Sequence, residues 1–159
     1  MLLWYVGVSI VAVHVVFRSV GLDYRLVALG AVAPLVVDLP FGHMAYGHTL
    51  VAAVVLLVAI MVLTIGRSRL LRRRLLCLPI GVLAGLLLSG AFLHDRVILW
   101  PFVGDGFGDV PLVPPLTLLV LGEGIGLACC GWAWGRFGLG RSDRRASFVR
   151  TGRLVEVAR

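Results

Sequence analysis

The sequence predicts an all-α fold, a polytopic bundle of four or five transmembrane helices, with one re-entrant segment in the four-span form. The first observation behind this prediction is composition. Of the 159 residues, 60% are hydrophobic and only 14% are charged, whereas a soluble domain averages roughly 45–50% and about 25%. The second is a mean hydropathy of +1.02, and the third is the grouping of apolar residues into five runs. Together they exclude a cytosolic enzyme, a disordered tail and a free nucleic-acid-binding domain.

The five apolar runs are the predicted membrane segments. They cover residues 2–17, 26–39, 49–65, 75–93 and 116–134. At roughly 1.5 Å per residue, a helix over each of the last three reaches about 25–30 Å, enough to cross the hydrocarbon with little tilt. The second run would reach only about 21 Å, and it contains Gly30 and Pro34. It therefore either crosses as a short helix or enters the bilayer and returns.

Arginine fixes the predicted orientation. The chain contains no Lys, and its net charge of +7 comes from arginines concentrated in the loop 67–74 and in the tail 136–159. Arginine between and after apolar segments is typical of cytoplasmic loops. We therefore expect a transmembrane domain over residues 1–135, an arginine-rich cytoplasmic tail over residues 136–159, and a multi-pass protein of the cell membrane.

The side on which the N-terminus lies depends on the second run. A full crossing gives five spans and an N-terminus outside, whereas a re-entrant segment gives four spans and an N-terminus inside. Arg18 and Arg25 lie between the first and second runs, and arginine at that position favours the five-span form.

The arginine-rich tail predicts anionic lipid headgroups as a partner besides the bilayer itself. A juxtamembrane arginine near anionic headgroups contributes about 1 kcal/mol. The seven arginines from Arg136 to Arg159 are therefore enough to hold the tail at a membrane without a protein partner. Nucleic acid is not expected, because it binds basic residues that lie along a folded soluble face.

Ionisable residues are costly in lipid and are therefore the candidates for function. On the predicted orientation five such residues fall at the outer face: Asp38, His43, His48, His94 and Asp95. Imidazole and carboxylate groups suit Zn²⁺, Mn²⁺ or iron, and a bound metal would turn a water molecule into a nucleophile near neutral pH. The competing interpretation is that these are helix-end residues that meet water. His14 can join them only if the second run is re-entrant.

Several short motifs occur in a fixed order over roughly residues 10–105. They are His14, Pro34 with Asp38, the pair His48-Thr49, and Trp100-Pro101-Phe102. This order resembles the membrane-bound metal-dependent hydrolase family, whose members include inner-membrane proteins described as LexA-binding. The similarity is greatest to a small actinobacterial-type branch that ends in an arginine-rich tail.

The resemblance implies a hydrolase that uses a divalent transition metal, Zn, Mn or Fe, on a lipid or phosphoester at the outer face. In this interpretation His14, Asp38 and His48 are metal ligands. His94 or Asp95 then supplies a fourth ligand or the catalytic base, and Asp95 is the candidate catalytic residue.

The chain departs from the family pattern in two places. Asp38 stands four residues after Pro34 rather than directly after it, and the family's His-x-x-x-Asp pair falls on Gly85 and Ser89. Glycine has no side chain, and a serine hydroxyl is a poor metal ligand unless it is ionised. The alternative function is therefore a non-catalytic membrane scaffold or assembly protein, a degenerate member of the family.

A third function class, a small transporter subunit, rests on Glu123. It lies mid-helix among Gly122, Gly124 and Gly126, where it could carry a proton. We expect a packed and neutral side chain instead, because a charged group is costly in lipid. The sequence also lacks the matched pair of broken helices from which many transporters build their binding sites.

Glycines spaced four residues apart predict close helix packing. Small residues at this spacing let helix backbones approach in lipid, where apolar attraction does not drive association. The pairs are Gly81 with Gly85, Gly122 with Gly126, and Gly131 with Gly135.

Overall fold

A computed structural model describes residues 1–18, 21–104 and 106–154, and the regular elements that these residues form are all helices, with no strand. The prediction of an all-α fold is confirmed. The helices, numbered in chain order, are α1 (Trp4–Phe17), α2 (Tyr24–Asp38), α3 (Leu50–Leu63), α4 (Arg69–Leu75), α5 (Cys77–Leu88), α6 (Asp95–Ile98), α7 (Leu116–Arg136) and α8 (Ser142–Thr151). The start of α1, Trp4–Val8, is π-helical.

Polar side chains fix where three of the helices begin. Asp23 accepts a hydrogen bond from the Arg25 amide at the start of α2, and Thr49 accepts one from the Ala52 amide at the start of α3. Ser68 does the same for α4. These N-caps satisfy amide groups that the first turn of a helix leaves without a backbone partner.

Helices α2 and α5 make the most extensive contact in the bundle. A Cβ added at Gly30 would lie 2.1 Å from the Leu78 carbonyl oxygen, and one added at Gly81 would lie 2.2 Å from the Val27 carbonyl oxygen. Only a shift of backbone could relieve such contacts, so both positions require glycine. The two helices can therefore pack backbone against backbone.

The glycines of the predicted pairs differ in how closely another helix approaches them. A Cβ at Gly85 would lie 2.4 Å from the Ala31 carbonyl oxygen, and one at Gly126 would lie 2.2 Å from the Leu3 carbonyl carbon. The prediction of close approach is thus confirmed at these positions and at Gly81. It is wrong for Gly131 and Gly135, which have no described atom within 4 Å of an added Cβ.

The long helices alternate between two ends of the bundle. At the arginine end, α1 and α7 finish where α2 begins, and Val13, Tyr24 and Phe137 belong to one core cluster. At the His48 end, α2 finishes beside the start of α3, and Met44 and Leu86 belong to a second core cluster. Functional groups near the two clusters are therefore separated by the length of the helices.

The segment after α7, predicted as a tail, packs against the arginine end. Leu154 is buried in the same cluster as Phe137. The Tyr24 amide donates a hydrogen bond to the Gly152 carbonyl at 2.8 Å, and the Arg25 guanidinium donates one to the Val149 carbonyl. The predicted domain boundary after residue 135 marks a change in amino-acid composition. Residues 137–154 nevertheless pack against the helices.

Among the described residues, two helices are long and apolar enough to cross a membrane. One is Tyr24–Phe41, which is α2 with the 3-10 turn Leu39–Phe41 that follows it, and the other is Leu116–Arg136. The apolar helices Trp4–Phe17 and Leu50–Leu63 are shorter. Many large apolar side chains lie exposed on the outside of the bundle, among them Leu63 at 76%. Length and composition of these helices, with an apolar outer surface of this kind, support a membrane location.

The second run forms the continuous helix α2 of 15 residues with Pro34 inside it, which agrees with the short-helix alternative of the prediction rather than with the re-entrant one. Two later helices are shorter than expected. Helix α3 has 14 residues and α5 has 12, so they reach about 21 Å and about 18 Å rather than the expected length of about 25–30 Å. Helix α5 ends early because Gly90 takes a left-handed conformation with φ of 74°, which terminates a helix.

Candidate functional site

Asp38 and His48 are the two predicted site residues whose side chains form a direct hydrogen bond. Asp38 is the last residue of α2, and His48 lies just before Thr49, the N-cap of α3. The distance from Asp38 Oδ2 to His48 Nδ1 is 2.7 Å, and the two side chains are only 0% and 1% exposed. An imidazole that donates through Nδ1 to a carboxylate is fixed in orientation and, when neutral, carries its lone pair on Nε2.

The carboxylate of Asp38 also closes the turn between α2 and α3. It accepts backbone hydrogen bonds from Ala45 at 2.7 Å, from Gly47 at 2.8 Å and from His48 at 3.2 Å. Gly47 is required at this point, because an added Cβ would lie 2.7 Å from the Pro34 carbonyl oxygen. Both carboxylate oxygens are therefore engaged by the protein's own donors.

His14 lies at the other end of the bundle, so it does not join this pair. Its Nδ1 is 3.3 Å from the Tyr24 hydroxyl, and its ring meets the Phe137 ring edge-on at 4.9 Å between centroids. Tyr24 begins α2 and Asp38 ends it, a separation of about 21 Å along the helix. The expectation that His14 shares a metal with Asp38 is wrong, because α2 runs from one end of the bundle to the other.

His94 and Asp95 also remain outside the pair. Asp95 begins α6, where its Oδ1 accepts the Arg96 amide at 2.8 Å and its side chain is exposed. His94 lines an apolar cavity instead. Within the described ranges no three His, Cys, Asp or Glu side chains come together in a way that could hold a metal ion. The predicted set of His14, Asp38, His48 and His94 is therefore not assembled around one Zn, Mn or Fe ion.

The two positions that align with the family's His-x-x-x-Asp pair, Gly85 and Ser89, also supply no metal ligand. An added Cβ at Gly85 would meet the Ala31 carbonyl oxygen at 2.4 Å, so the packing of α2 on α5 leaves no space there for an imidazole. Ser89 donates its hydroxyl to the Leu86 carbonyl at 2.9 Å. Both positions thus contribute to helix packing and to the end of α5.

The apolar cavity at the His48 end has a volume of about 590 Å³. It lies between the N-terminal residues, the end of α5, the loop before α7 and the first half of α7. Trp4 and Leu118 are among its apolar lining residues, and Ser89, His94 and Asp109 supply its polar groups. Its size and mainly apolar lining are those of a site for a small apolar molecule.

Glu123 forms an ion pair, contrary to the expectation of a neutral and packed side chain. Its Oε1 lies 2.5 Å from the Met1 amino nitrogen, and its Oε2 accepts the Leu3 amide at 3.1 Å. A carboxyl group whose two oxygens accept hydrogen bonds from an ammonium group and an amide acts as a carboxylate. Its contacts join α7 to the start of α1.

A second polar cluster, which the sequence did not indicate, lies at the arginine end. Asp23 Oδ2 is 2.7 Å from Arg74 Nε and 3.2 Å from Arg25 Nη2, and the Asp23 amide donates to the Cys77 sulfur at 3.3 Å. Burial by itself would raise the pKa of the Asp23 carboxyl, but hydrogen bonds and charge from Arg25 and Arg74 outweigh burial and hold that pKa below its ordinary value. The available sequence signal was an aspartate just before a helix, the usual N-cap.

Comparisons of the chain with protein-family models, with curated proteins and with solved structures give no match. The chemistry open to this protein follows from its own geometry. That geometry consists of the buried Asp38–His48 pair at one end and the Asp23 cluster at the other, about one helix length apart.

Proposed function

We propose that the chain is a non-catalytic integral membrane protein, a helical scaffold or assembly protein of the cell membrane. The observation that carries this proposal is the use of Asp38 and His48. Three backbone amides and the imidazole of His48 donate hydrogen bonds to the carboxylate of Asp38. The pair therefore stabilises the turn between α2 and α3. A catalytic zinc site uses three protein ligands and an open position, whereas the described residues gather no such set.

Five crossings with the arginine end in the cytoplasm fit this proposal best. Helices α1, α2, α3, α5 and α7 alternate between the two ends. Among the described arginines, all except Arg96 then lie at the arginine end, in its loops, in the short helices α4 and α8 or at the ends of the long helices, in agreement with the positive-inside rule. The short helices α3 and α5 are accommodated by local thinning of the bilayer and by arginines that reach the headgroups.

Labelling of single cysteines tests the orientation. In a chain with Cys77, Cys129 and Cys130 replaced by serine, Phe102→Cys places one thiol at the His48 end and Ser142→Cys places one at the arginine end. Both positions are exposed. A membrane-impermeant maleimide added to intact cells should label the first variant, and the second only after permeabilisation. Labelling of Ser142→Cys in intact cells would contradict the proposal.

The same assay separates five crossings from four. Leu2 is 57% exposed, so a thiol introduced by Leu2→Cys is open to reagent. Five crossings place it outside, where intact cells should be labelled. Protection of Leu2→Cys in intact cells, with Phe102→Cys labelled as above, would support four crossings instead.

The metal-dependent hydrolase implied by the family resemblance is the second candidate function. The observation that favours it is the orientation of His48, because a carboxylate bonded to one ring nitrogen is the usual support of a metal-binding or proton-accepting histidine. The apolar cavity at the same end would suit a lipid-like substrate.

Metal analysis separates the two functions. Protein purified gently, without chelator, is analysed for Zn, Mn and Fe, and the His48→Ala variant is analysed in parallel. Metal below stoichiometry in the wild type is the expected result for a scaffold. One metal ion per chain that His48→Ala removes would overturn the scaffold and support the hydrolase.

A further inference from the structure

The arginine end contains a cavity of about 460 Å³ whose polar wall is mostly arginine. Arg73 and Arg74 of α4 line one side, and Arg150 and Arg153 from the last turn of α8 and the segment after it line another. Asp23 is the one acidic residue among the described residues that line the cavity. We name this feature the arginine cavity. It is assembled from parts of the chain that are more than seventy residues apart.

The arginine cavity has an excess of positive charge. Asp23 already receives Arg74 Nε at 2.7 Å and Arg25 Nη2 at 3.2 Å, so its negative charge is balanced locally. The part of the lining that the structure describes has four guanidinium groups and one carboxylate. Such a concentration of positive charge in a recess attracts an anion, and the planar guanidinium group bonds phosphate in two-pronged geometry.

The apolar part of the lining indicates which phosphate compound fits. Leu70 and Leu71 of α4 border the arginine cavity and are 73% and 40% exposed. A short helix with exposed leucines beside arginines lies in the plane of a membrane interface, with leucines toward the acyl chains and arginines among the headgroups. A phospholipid can use both surfaces at once, whereas a free phosphate compound gains nothing from the leucines.

We propose that the arginine cavity binds the phosphate of an anionic phospholipid headgroup in the leaflet at the arginine end. The proposal rests on the proposed membrane placement and adds a defined lipid site to it. Arg73, Arg150 and Arg153 contact the phosphate, while Leu70 and Leu71 contact the first part of the acyl chains. Bound lipid thus joins α4 to the end of α8 on the cytoplasmic side.

Lipid binding by the full chain in neutral detergent micelles tests this proposal. The probe is dioleoyl phosphatidylglycerol, with dioleoyl phosphatidylcholine as the zwitterionic comparison, and native mass spectrometry counts the lipids retained. Arg73→Gln, Arg150→Gln and Arg153→Gln are combined in one cavity variant. The matched control combines Arg67→Gln, Arg69→Gln and Arg145→Gln, which remove the same charge from exposed positions outside the cavity lining.

We expect the wild type to retain one phosphatidylglycerol in preference to phosphatidylcholine. The cavity variant should bind it at least about tenfold more weakly, and the control should stay within about twofold, because charges outside the recess are well hydrated and screened. A smaller variant, Arg150→Gln with Arg153→Gln, leaves α4 intact and should still lose about fivefold. Unfolding curves in the same detergent verify that each variant is folded.

Two results would overturn the lipid site. One is an equal loss of phosphatidylglycerol binding in the cavity variant and the matched control, which would show general attraction to positive charge. The other is displacement of phosphatidylglycerol by sodium pyrophosphate at equal concentration, which would assign the arginine cavity to a soluble phosphate compound. Either result, with the cysteine labelling pattern unchanged, would leave the proposed membrane scaffold standing.

Discussion

Asp38 has more hydrogen-bonding partners than the other acidic side chains that the structure describes at the His48 end. Its carboxylate is buried and bonded to the imidazole of His48 and to three amides of the turn that leads into α3. A buried charge of this kind is stable only while its partners remain, and loss of one partner exposes the full cost of burying the other. The pair therefore determines how α2 is joined to α3.

Replacement Asp38→Asn should strongly destabilise the protein. The asparagine amide puts a donor where a carboxylate oxygen accepted, so at least one amide of the turn or His48 Nδ1 loses its acceptor. We expect a loss of about 3–5 kcal/mol in the free energy of unfolding, measured by denaturant titration in detergent micelles with circular dichroism. Asp109→Asn, at an exposed position near the same end, should change stability by less than about 0.5 kcal/mol. Equal effects of the two changes would show that the pair is not a structural support.

Asp23 is the buried carboxylate that stabilises the arginine end, as Asp38 stabilises the His48 end. The arginines Arg25 and Arg74 bond its carboxylate, and its pKa is held below the ordinary value in spite of burial. A carboxyl whose pKa is lower in the folded than in the unfolded chain stabilises the folded state above the unfolded pKa. That stabilisation is lost as the pH falls through the folded pKa.

The variant Asp23→Asn should therefore differ from the wild type at neutral pH and resemble it in acid. Asparagine still caps α2 but loses the ion pairs. The expected loss at pH 7 is about 1 kcal/mol, a modest value because Arg74 is half exposed and screened by solvent. Unfolding curves measured from pH 7 to pH 2 should begin to converge as the pH falls below about 4, the unfolded pKa, and the difference should keep shrinking toward the lower folded pKa. A constant difference down to pH 2 would contradict the assigned role of the charge.

At the scale of elements, the contact of α2 with α5 depends on glycine. Gly30 and Gly81 lie where each helix meets the backbone of the other. Helices in lipid associate through close packing of this kind. Because α5 leads to the cavity at the His48 end, this contact also sets one wall of that cavity.

A single added methyl group tests that contact. Gly81→Ala puts a Cβ 2.2 Å from the Val27 carbonyl oxygen, and the helices must separate, at a cost of about 1–3 kcal/mol as for other overpacked sites. Gly131→Ala on α7 meets no described atom within 4 Å and should be neutral or stabilising by up to about 1 kcal/mol, because alanine favours helix. Denaturant titration of both variants gives the comparison. A larger loss for Gly131→Ala would contradict the packing described.

At the scale of the whole molecule, the bundle has a polar cluster at each end and an apolar outer surface between them. The segment after α7 completes the arginine end, where Leu154 and Phe137 are 4% and 2% exposed. Positive charge and apolar packing thus occur in the same segment. The arginine-rich residues 137–154 close the bundle as well as facing the cytoplasmic side in the proposed orientation.

Leu154→Ala should therefore weaken the whole bundle. Removing a buried leucine side chain costs about 2–5 kcal/mol, and the lower value applies near an end of the molecule where neighbours can move. Val149→Ala is the control, because Val149 is 66% exposed and its side chain can be shortened at little cost. Resistance of residues 137–154 to protease in detergent gives a second measurement. Equal digestion of the two variants and the wild type would show that this segment does not stabilise the bundle.

The sequence by itself determined the helical class, the approximate positions of the apolar helices and the two arginine-rich segments. Hydropathy and charge are local properties, and a run of apolar residues forms a helix in lipid whatever lies elsewhere in the chain. The second run, which contains Pro34, also follows this rule, because Pro34 is accommodated within α2.

Only the tertiary structure decided which polar residues meet. Asp38 pairs with His48, His14 is kept a helix length away, and Arg73 comes to share a cavity with Arg150. These outcomes depend on the lengths of α2 and α5, on where glycine lets their backbones touch, and on how the end of the chain folds back. None of them is encoded in the spacing of the residues concerned, since contacts between distant residues arise from packing.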